Sequence, residues 1–461
     1  MPASSRPVTD TPWDVLPDVA ARSLRYLAGV GERRVSPCPE AVAALSAFDI
    51  PLQDGPMSPE DIVEELDRIG APATVASAGP RFFGFVNGSA LPAALAVNWL
   101  TTAWEQHGGF LVTAPGSIRL EQTAMRWTIE LLGLPSDAQG AFVTGTTVAH
   151  VTALAAARHS LLAGVGWSAE ADGLFGAPPV TVIVGAEVHP TLLKALGILG
   201  LGRRRVVTVP VDSQGRMRAD ALPHMSGPTI VCLQAGNVNT GSFDPFRDVI
   251  EQVRGSGAPA WIHVDGAFGL WAKAAPARAH LVDGVELADS WATDAHKWLN
   301  SPYDCGMAIV RDGGALRKAM AINADYLPSD QANPLDYTPE ASRRPRGVDA
   351  WACLRTLGRS GLAELVERNC HLANRFAEAF RGAGFQVHND VVLNQVLVSF
   401  GDAERTRRVI AAIQDEGTCW AGVTVWQGKT AMRVSVISWA TTEADVDRSV
   451  AAILGIAGGM P

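Results

Sequence analysis

Trp261-Ile262-His263-Val264-Asp265-Gly266-Ala267-Phe268-Gly269, followed by Ala288-Asp289-Ser290-Trp291-Ala292-Thr293-Asp294-Ala295-His296-Lys297-Trp298-Leu299-Asn300, is the stretch on which the reading of this chain turns. The first part is a short apolar run that ends in a carboxylate and then a glycine, the pattern of a buried parallel strand delivering an acid to the end of a sheet. The second sets a lysine beside a histidine in a segment with few other charges. An apolar setting disfavours the charged form of a lysine, so its amine becomes a usable nucleophile.

A lysine for a Schiff base and an acid against a pyridine nitrogen are the two groups that pyridoxal phosphate chemistry asks of a protein. His263-Val264-Asp265-Gly266-Ala267 and Asp294-Ala295-His296-Lys297-Trp298, with acid and lysine thirty-two positions apart, resemble the group II pyridoxal-phosphate decarboxylases, which include the aromatic-L-amino-acid and glutamate decarboxylases. The resemblance runs from about Trp13 to Leu454. It implies an α/β, aspartate-aminotransferase-like fold, a homodimer with sites at the interface, and pyridoxal 5'-phosphate as cofactor. It also implies cofactor contacts from Asp265, Ala267, Asp294, His296 and Lys297.

Composition sets the outer bounds. The chain has 461 residues, 47% hydrophobic and 18% charged, enough for a large core and more than one domain. A net charge of −9 without a basic patch argues against nucleic acid as a partner, and Arg203-Arg204-Arg205 reads as a solvated turn before a strand over 206–211. Six cysteines are scattered without a CxxC pair, which speaks against a metal site or a disulfide framework and fits a reducing cytoplasm. No apolar run is long enough for a membrane span, and the N-terminus lacks the order of a signal peptide.

Residues 1–12 are polar and proline-rich and read as frayed. Leu16, Val19, Ala20, Leu24 and Leu27 recur at helical spacing, and Ser58-Pro59-Glu60-Asp61 opens another helix with a capping hydroxyl and early acids. Residues 1–90 therefore form a helical arm; in the resembled family this arm wraps the partner subunit, and packing on its own domain is the alternative. Gly79 to Gly88 sets Phe82, Phe83 and Phe85 among glycines, with Asn87 beyond them. Each phenylalanine is either a wall of the substrate pocket, as the resemblance implies, or ordinary core. Trp104 to Ser117, with Phe110, resembles the segment that lines the neighbouring subunit's pocket.

Ala141 to His150 is a glycine and threonine turn running into an alanine-rich helix. Free N–H groups and the positive end of a helix make such a turn an anion site. The family pattern puts the phosphate on Thr146 and Thr147, although Val148 stands where relatives often carry an acid. His189, just past a β-branched strand over 180–184, matches the family's histidine that stacks on the cofactor ring. A second buried strand, 229–235, ends in a polar loop where Asn237 is either a cofactor contact or a solvated loop residue. A strand over 306–310 returns.

Residues 323–346 are rich in Asp, Pro, Ser and Arg without periodicity, the composition of a lid. Leu335-Asp336-Tyr337 resembles the family's mobile-loop motif with its catalytic tyrosine; an exposed loop tyrosine is the alternative. From Trp351 the pattern is helical, then mixed, and Arg433 stands where some pyridoxal enzymes keep an arginine for the substrate carboxylate, or is a surface strand arginine.

The expected organisation is an arm over 1–90, a large cofactor-binding domain with a mostly parallel sheet over 91–320, a mobile loop over 321–350 and a small C-terminal α+β domain over 351–461. The expected function is decarboxylation of an L-amino acid, aromatic or large and hydrophobic, to the primary amine and carbon dioxide. Lys297, Asp265, His189 and Tyr337 are its catalytic residues, and Phe82, Phe83, Phe85, Asn87, Trp104 and Phe110 contact the substrate. Another pyridoxal reaction on the same fold, or a silent cofactor-binding regulator, is the alternative.

Overall fold

The computed structural model describes residues 13–322 and 332–460. Seven strands make the large sheet: β1 (Gln139–Val143), β2 (Thr181–Gly185), β3 (Val207–Val209), β4 (Thr229–Gln234), β5 (Ala260–Asp265), β6 (Ser290–Asp294) and β7 (Gly306–Val310), in the order β1-β7-β6-β5-β4-β2-β3. All run parallel except β7, which returns antiparallel between β6 and β1.

Strand alternation explains the layers. Ile183, Val231, Leu233, Ile262 and Val264 face one core, and their neighbours Val182, Val184, Ile230, Cys232 and Trp261 face the other, under the helix Thr146–Ala163. Both faces are covered, so the central strands are apolar almost throughout. Polar groups collect at the carboxyl ends, where Asp265 stands opposite Gln234 on β4 and Ala292 on β6.

A four-stranded antiparallel sheet, β8 (Gln386–Val387), β9 (Gln395–Ser399), β10 (Gly422–Trp426) and β11 (Lys429–Ser435), forms the small domain in the order β10-β11-β9-β8. Sequence reading missed β10. Its signal is Gln427-Gly428, a two-residue hairpin turn with φ of 46° and 76° at its two positions. The helix Gly347–Gly382 crosses the expected border at 350. Its start packs in the large core through Ala350 and Cys353, its end in the small core through Phe376 and Phe380, and Gly358, at φ 59°, breaks it between them.

The arm divides in two. Its later part is stitched to the small domain: Val35 N–H donates to Gly417 O, Phe83 N–H to Trp420 O, and Ser435 N–H to Phe83 O. Ser58 caps the helix Pro59–Glu65 by accepting from Asp61 N–H. The helix Val15–Gly29, by contrast, buries no residue, and Leu16 and Leu24 are more than half exposed. Residues 1–12, read as frayed, lie outside the described residues.

So does 323–331, the first part of the expected lid. From Asn333 onward the segment is anchored. Asn333 and Asp336 form a reciprocal cap over the turn Pro334–Tyr337, Asn333 Oδ1 accepts from Leu111 N–H, and Arg343 makes a buried ion pair with Glu121. No helix among the described residues is long and apolar enough to cross a membrane.

Candidate active site

A cavity of about 700 Å³ opens at the carboxyl ends of β1, β2, β4, β5 and β6. Lys297, three residues past the end of β6, reaches into it, and its Nζ lies 3.1 Å from Asp294 Oδ2. Asp294 is 2% exposed. It also accepts a short hydrogen bond from the Thr146 hydroxyl and faces His296 Nε2 at 3.6 Å. His296 Nδ1 accepts from Cys305 N–H, so in the neutral ring the proton sits on Nε2, towards the acid. Burial lowers the His296 pKa, against the pull of Asp294.

Asp265 ends β5 in the same cavity. Its Oδ1 accepts from Ala267 N–H at 3.2 Å, and His150 Nε2 faces Oδ2 at 3.5 Å. Burial alone would push this carboxyl up. His150, and then the positive potential from His189 and Lys297, outweigh burial and hold it well below the usual carboxylate range. His189 lines the cavity as the cap of the helix Pro190–Ile198, its Nδ1 2.7 Å from Thr191 Oγ1, and burial lowers its pKa.

Between β1 and the helix Thr146–Ala163, the turn Thr144-Gly145-Thr146-Thr147 lines the cavity with no acid in the helix's first turn. Val148, which follows Thr147 in that first turn, lines it as well. Ala267 does too. This arrangement fits pyridoxal phosphate: an amine for its aldehyde, an ionised buried carboxylate for its ring nitrogen, and a helix end beside the Thr147 hydroxyl for its phosphate, the Thr146 hydroxyl being turned to Asp294.

Not every anticipated residue reaches the cavity. Asn237 is 1% exposed with its amide spent inside the protein: Nδ2 donates to Glu187 Oε2 at 3.0 Å and Oδ1 accepts from Asn239 and Thr240 N–H. Its neighbours Val238 and Asn239 line the wall instead. Of the three phenylalanines, Phe85 alone is a wall. Phe83 sits edge-on to Phe376 in the small-domain core, and Phe82 stacks on Trp420. The cause is an extended run threaded between Trp420 and Ser435, which turns its first side chains inward. The chain then bends through Phe85 and Val86 at φ 53° and 60°, a left-handed conformation costly for a β-branched residue. Asn87 accepts from the Tyr303 hydroxyl at 2.9 Å and is not part of the wall.

Trp104, Phe110 and Tyr337 do not line the Lys297 cavity of their own chain. Trp104 is half exposed, Phe110 stacks on His107, and Tyr337 packs against the core over the helix Thr146–Ala163. One group outside the anticipated set stands close, and so does Arg433, read from the sequence as either a carboxylate arginine or a surface strand arginine. His150, four residues after Thr146 on one helix face, carried that spacing as its only signal. Arg433 lines the cavity from β11, makes no ion pair or hydrogen bond among the described residues, and has its pKa lowered by burial.

Residues 39–401 match the family model of the pyridoxal-dependent decarboxylase conserved domain. The chain is similar to tryptophan decarboxylase 1 of Oryza sativa subsp. japonica, 27% identical over 82% of this chain and 80% of that one. It is similar to phenylacetaldehyde synthase of Arabidopsis thaliana, 26% identical over 85% of each. Its fold overlays the crystal structure of Oryza sativa TDC with PLP and tryptamine at a TM-score of 0.89, with 23% identity over 98% of this chain and 99% of the other. With Lys297 and Asp265 in one cavity at the ends of a parallel sheet, the chain belongs to the pyridoxal-dependent decarboxylases, enzymes that use pyridoxal phosphate to remove the carboxylate of an amino acid.

Proposed function

We propose that the substrate is an L-amino acid with an aromatic or large hydrophobic side chain and that the products are the primary amine and carbon dioxide. Arg433 carries this reading. An unpaired, largely buried guanidinium in the cavity that holds Lys297 is a receptor for a carboxylate, and its planar fork suits bidentate capture. Phe85, exposed on the same wall and stacked on Trp420 at 5.3 Å, offers an aromatic face to the side chain. Bound pyridoxal phosphate supplies the electron sink for the bond that breaks. Lys297 would hold the cofactor through its amine, Asp265 would keep the ring nitrogen protonated, and His189 would pack against the ring.

The working unit in this reading is a homodimer. Trp13 just before the first helix, Leu16 and Leu24 on it, and Trp99, Leu100 and Trp104 on the helix Pro92–Trp104, are exposed apolar side chains that a second copy would cover. Phe110 and Tyr337, apart from their own Lys297, then complete the partner's cavity, and Tyr337 protonates Cα. Six free cysteines, five of them buried, support a cytoplasmic setting.

Release of an aldehyde is the second reading, favoured by the similarity to phenylacetaldehyde synthase. One assay tests both. The purified enzyme is given single L-amino acids, aromatic, aliphatic and acidic, and amine, carbon dioxide, aldehyde and peroxide are measured. Amine and carbon dioxide in equal amounts from an aromatic substrate are expected. Aldehyde as the main product, or turnover of acidic substrates alone, would overturn the proposal.

A further inference from the structure

Asp265 is the last member of a buried chain of polar groups. Trp261 Nε1 donates to Ser290 Oγ at 2.8 Å, and Ser290 Oγ lies 2.8 Å from His263 Nδ1. His263 Nε2 lies 2.9 Å from His150 Nδ1, and His150 Nε2 faces Asp265 Oδ2 at 3.5 Å. His150, His263 and Ser290 are all 0% exposed, and His150 Nε2 makes no hydrogen bond among the described residues, so the Asp265 carboxylate is the acceptor it faces.

The two ends decide the direction of the whole chain. An indole N–H only donates and a carboxylate only accepts. With a hydrogen on His150 Nε2 towards Asp265, its Nδ1 accepts from His263 Nε2–H, and His263 Nδ1 accepts from the Ser290 hydroxyl. Each junction then holds one hydrogen, and the last of them, on His150 Nε2, faces Asp265 Oδ2 across 3.5 Å. The reverse order, with His263 donating to Ser290, leaves the serine hydroxyl hydrogen stranded in the interior, at a cost. The favoured order points every dipole at Asp265, stabilising an anion that burial opposes, and adds no net charge to the core.

We propose that His150 is a positioning residue for the cofactor: it holds Asp265 ionised and aimed at the ring nitrogen, backed by His263, Ser290 and Trp261. His150 lies one turn beyond Thr146 on the same helix. That helix thereby serves both poles of the cofactor, its first turn the phosphate and its second the acid under the ring. The inference rests on the reading of Asp265 as the partner of the ring nitrogen.

The test reconstitutes full-length parent, His150→Phe, His150→Gln, Ser290→Ala and Asp265→Asn with pyridoxal phosphate. It measures the cofactor dissociation constant, the visible absorption of the bound cofactor, kcat and KM. His150→Phe should weaken cofactor binding about ten- to a hundredfold, the range for losing a hydrogen bond to a buried charge. It should also change the absorption and lower kcat with little change in KM. His150→Gln, which restores a donor, should recover part of the loss, and Ser290→Ala should show a smaller change of the same sign. A cofactor analogue with carbon in place of the ring nitrogen should bind parent and His150→Phe alike, which a merely structural role would not produce.

Parent-like affinity and absorption in His150→Phe would overturn the relay. Should that variant fail to fold, parent-like values in both His150→Gln and Ser290→Ala would overturn it, and graded losses would uphold it. Asp265→Asn separates the two claims: if it binds and turns over like the parent, the reading of Asp265 fails. If it collapses while His150→Phe does not, only the relay fails.

Discussion

The Lys297 ammonium rests on Asp294, 3.1 Å away, and not on Asp265, although both acids stand at the ends of adjacent strands around one cavity. The acid three residues before the lysine pairs with the amine, and in the proposed function the acid on the neighbouring strand serves the ring. The two carboxylates thus have separate tasks, set by where β5 and β6 end.

Borohydride treatment of the holoenzyme should fix the cofactor to Lys297, as read by peptide mapping, and Lys297→Ala should abolish turnover. The cofactor-free Lys297→Ala protein should also melt lower than the parent. Removing one partner of a buried pair strands the other charge, at a cost of about 3 kcal/mol. Lys297→Ala with Asp294→Asn should regain part of that loss. A double variant no more stable than Lys297→Ala would show that the pair does not bear on folding.

Arg433→Gln tests the carboxylate receptor. Because the guanidinium binds the carboxylate of the substrate before its bond to Cα breaks, the variant should raise KM about tenfold or more with a smaller effect on kcat. Cofactor affinity should hold, since Lys297, Asp265 and the helix end are untouched. An unchanged KM would place the carboxylate elsewhere.

Gly88→Ala tests how the arm braces the lysine. A Cβ there would fall 2.1 Å from the Lys297 carbonyl oxygen, a clash with backbone that no rotamer relieves. Overpacking of this kind costs about 1–3 kcal/mol. The variant should melt lower and lose activity by displacing Lys297. A thermal scan and a rate matching the parent would show that the loop and lysine move independently.

Tyr337 lies outside its own cavity, so mixing Lys297→Ala chains with Tyr337→Phe chains should form hybrids with one site complete in both residues. Random pairing restores up to about a quarter of the parent's amine production. Alone, Tyr337→Phe should slow amine release about 10²–10⁴-fold and raise aldehyde and peroxide in air, as proton delivery to Cα fails. No recovery despite demonstrated subunit exchange would argue for a site made from one chain.

Local chemistry was legible in the linear order. Asp265, Lys297 and Asp294 cluster because the strand pattern carries both acids to carboxyl ends of one sheet, and apolar runs over 229–235 and 306–310 announce buried strands. Ser58 and Thr442 mark helix starts for the same reason: a side-chain oxygen meets a free N–H within three residues. Such features depend on near neighbours or a simple period, which the order of residues contains.

The rest was settled by pairing between distant segments. Phe82, Phe83 and Phe85 share one composition and one stretch, yet contacts with Trp420, Phe376 and Ser435, hundreds of positions away, turn two inward and leave one on the cavity. Asn237 is consumed by Glu187, and the helix Gly347–Gly382 serves two cores. His150 gains its meaning only when one helix lays it against β5, beside His263 and Asp265. The sequence by itself determined the cofactor chemistry and the sheet, because those rest on residue type and local period. Which side chains face the cavity was decided by the tertiary structure alone, because a side chain's direction follows from what its backbone is paired with across the fold.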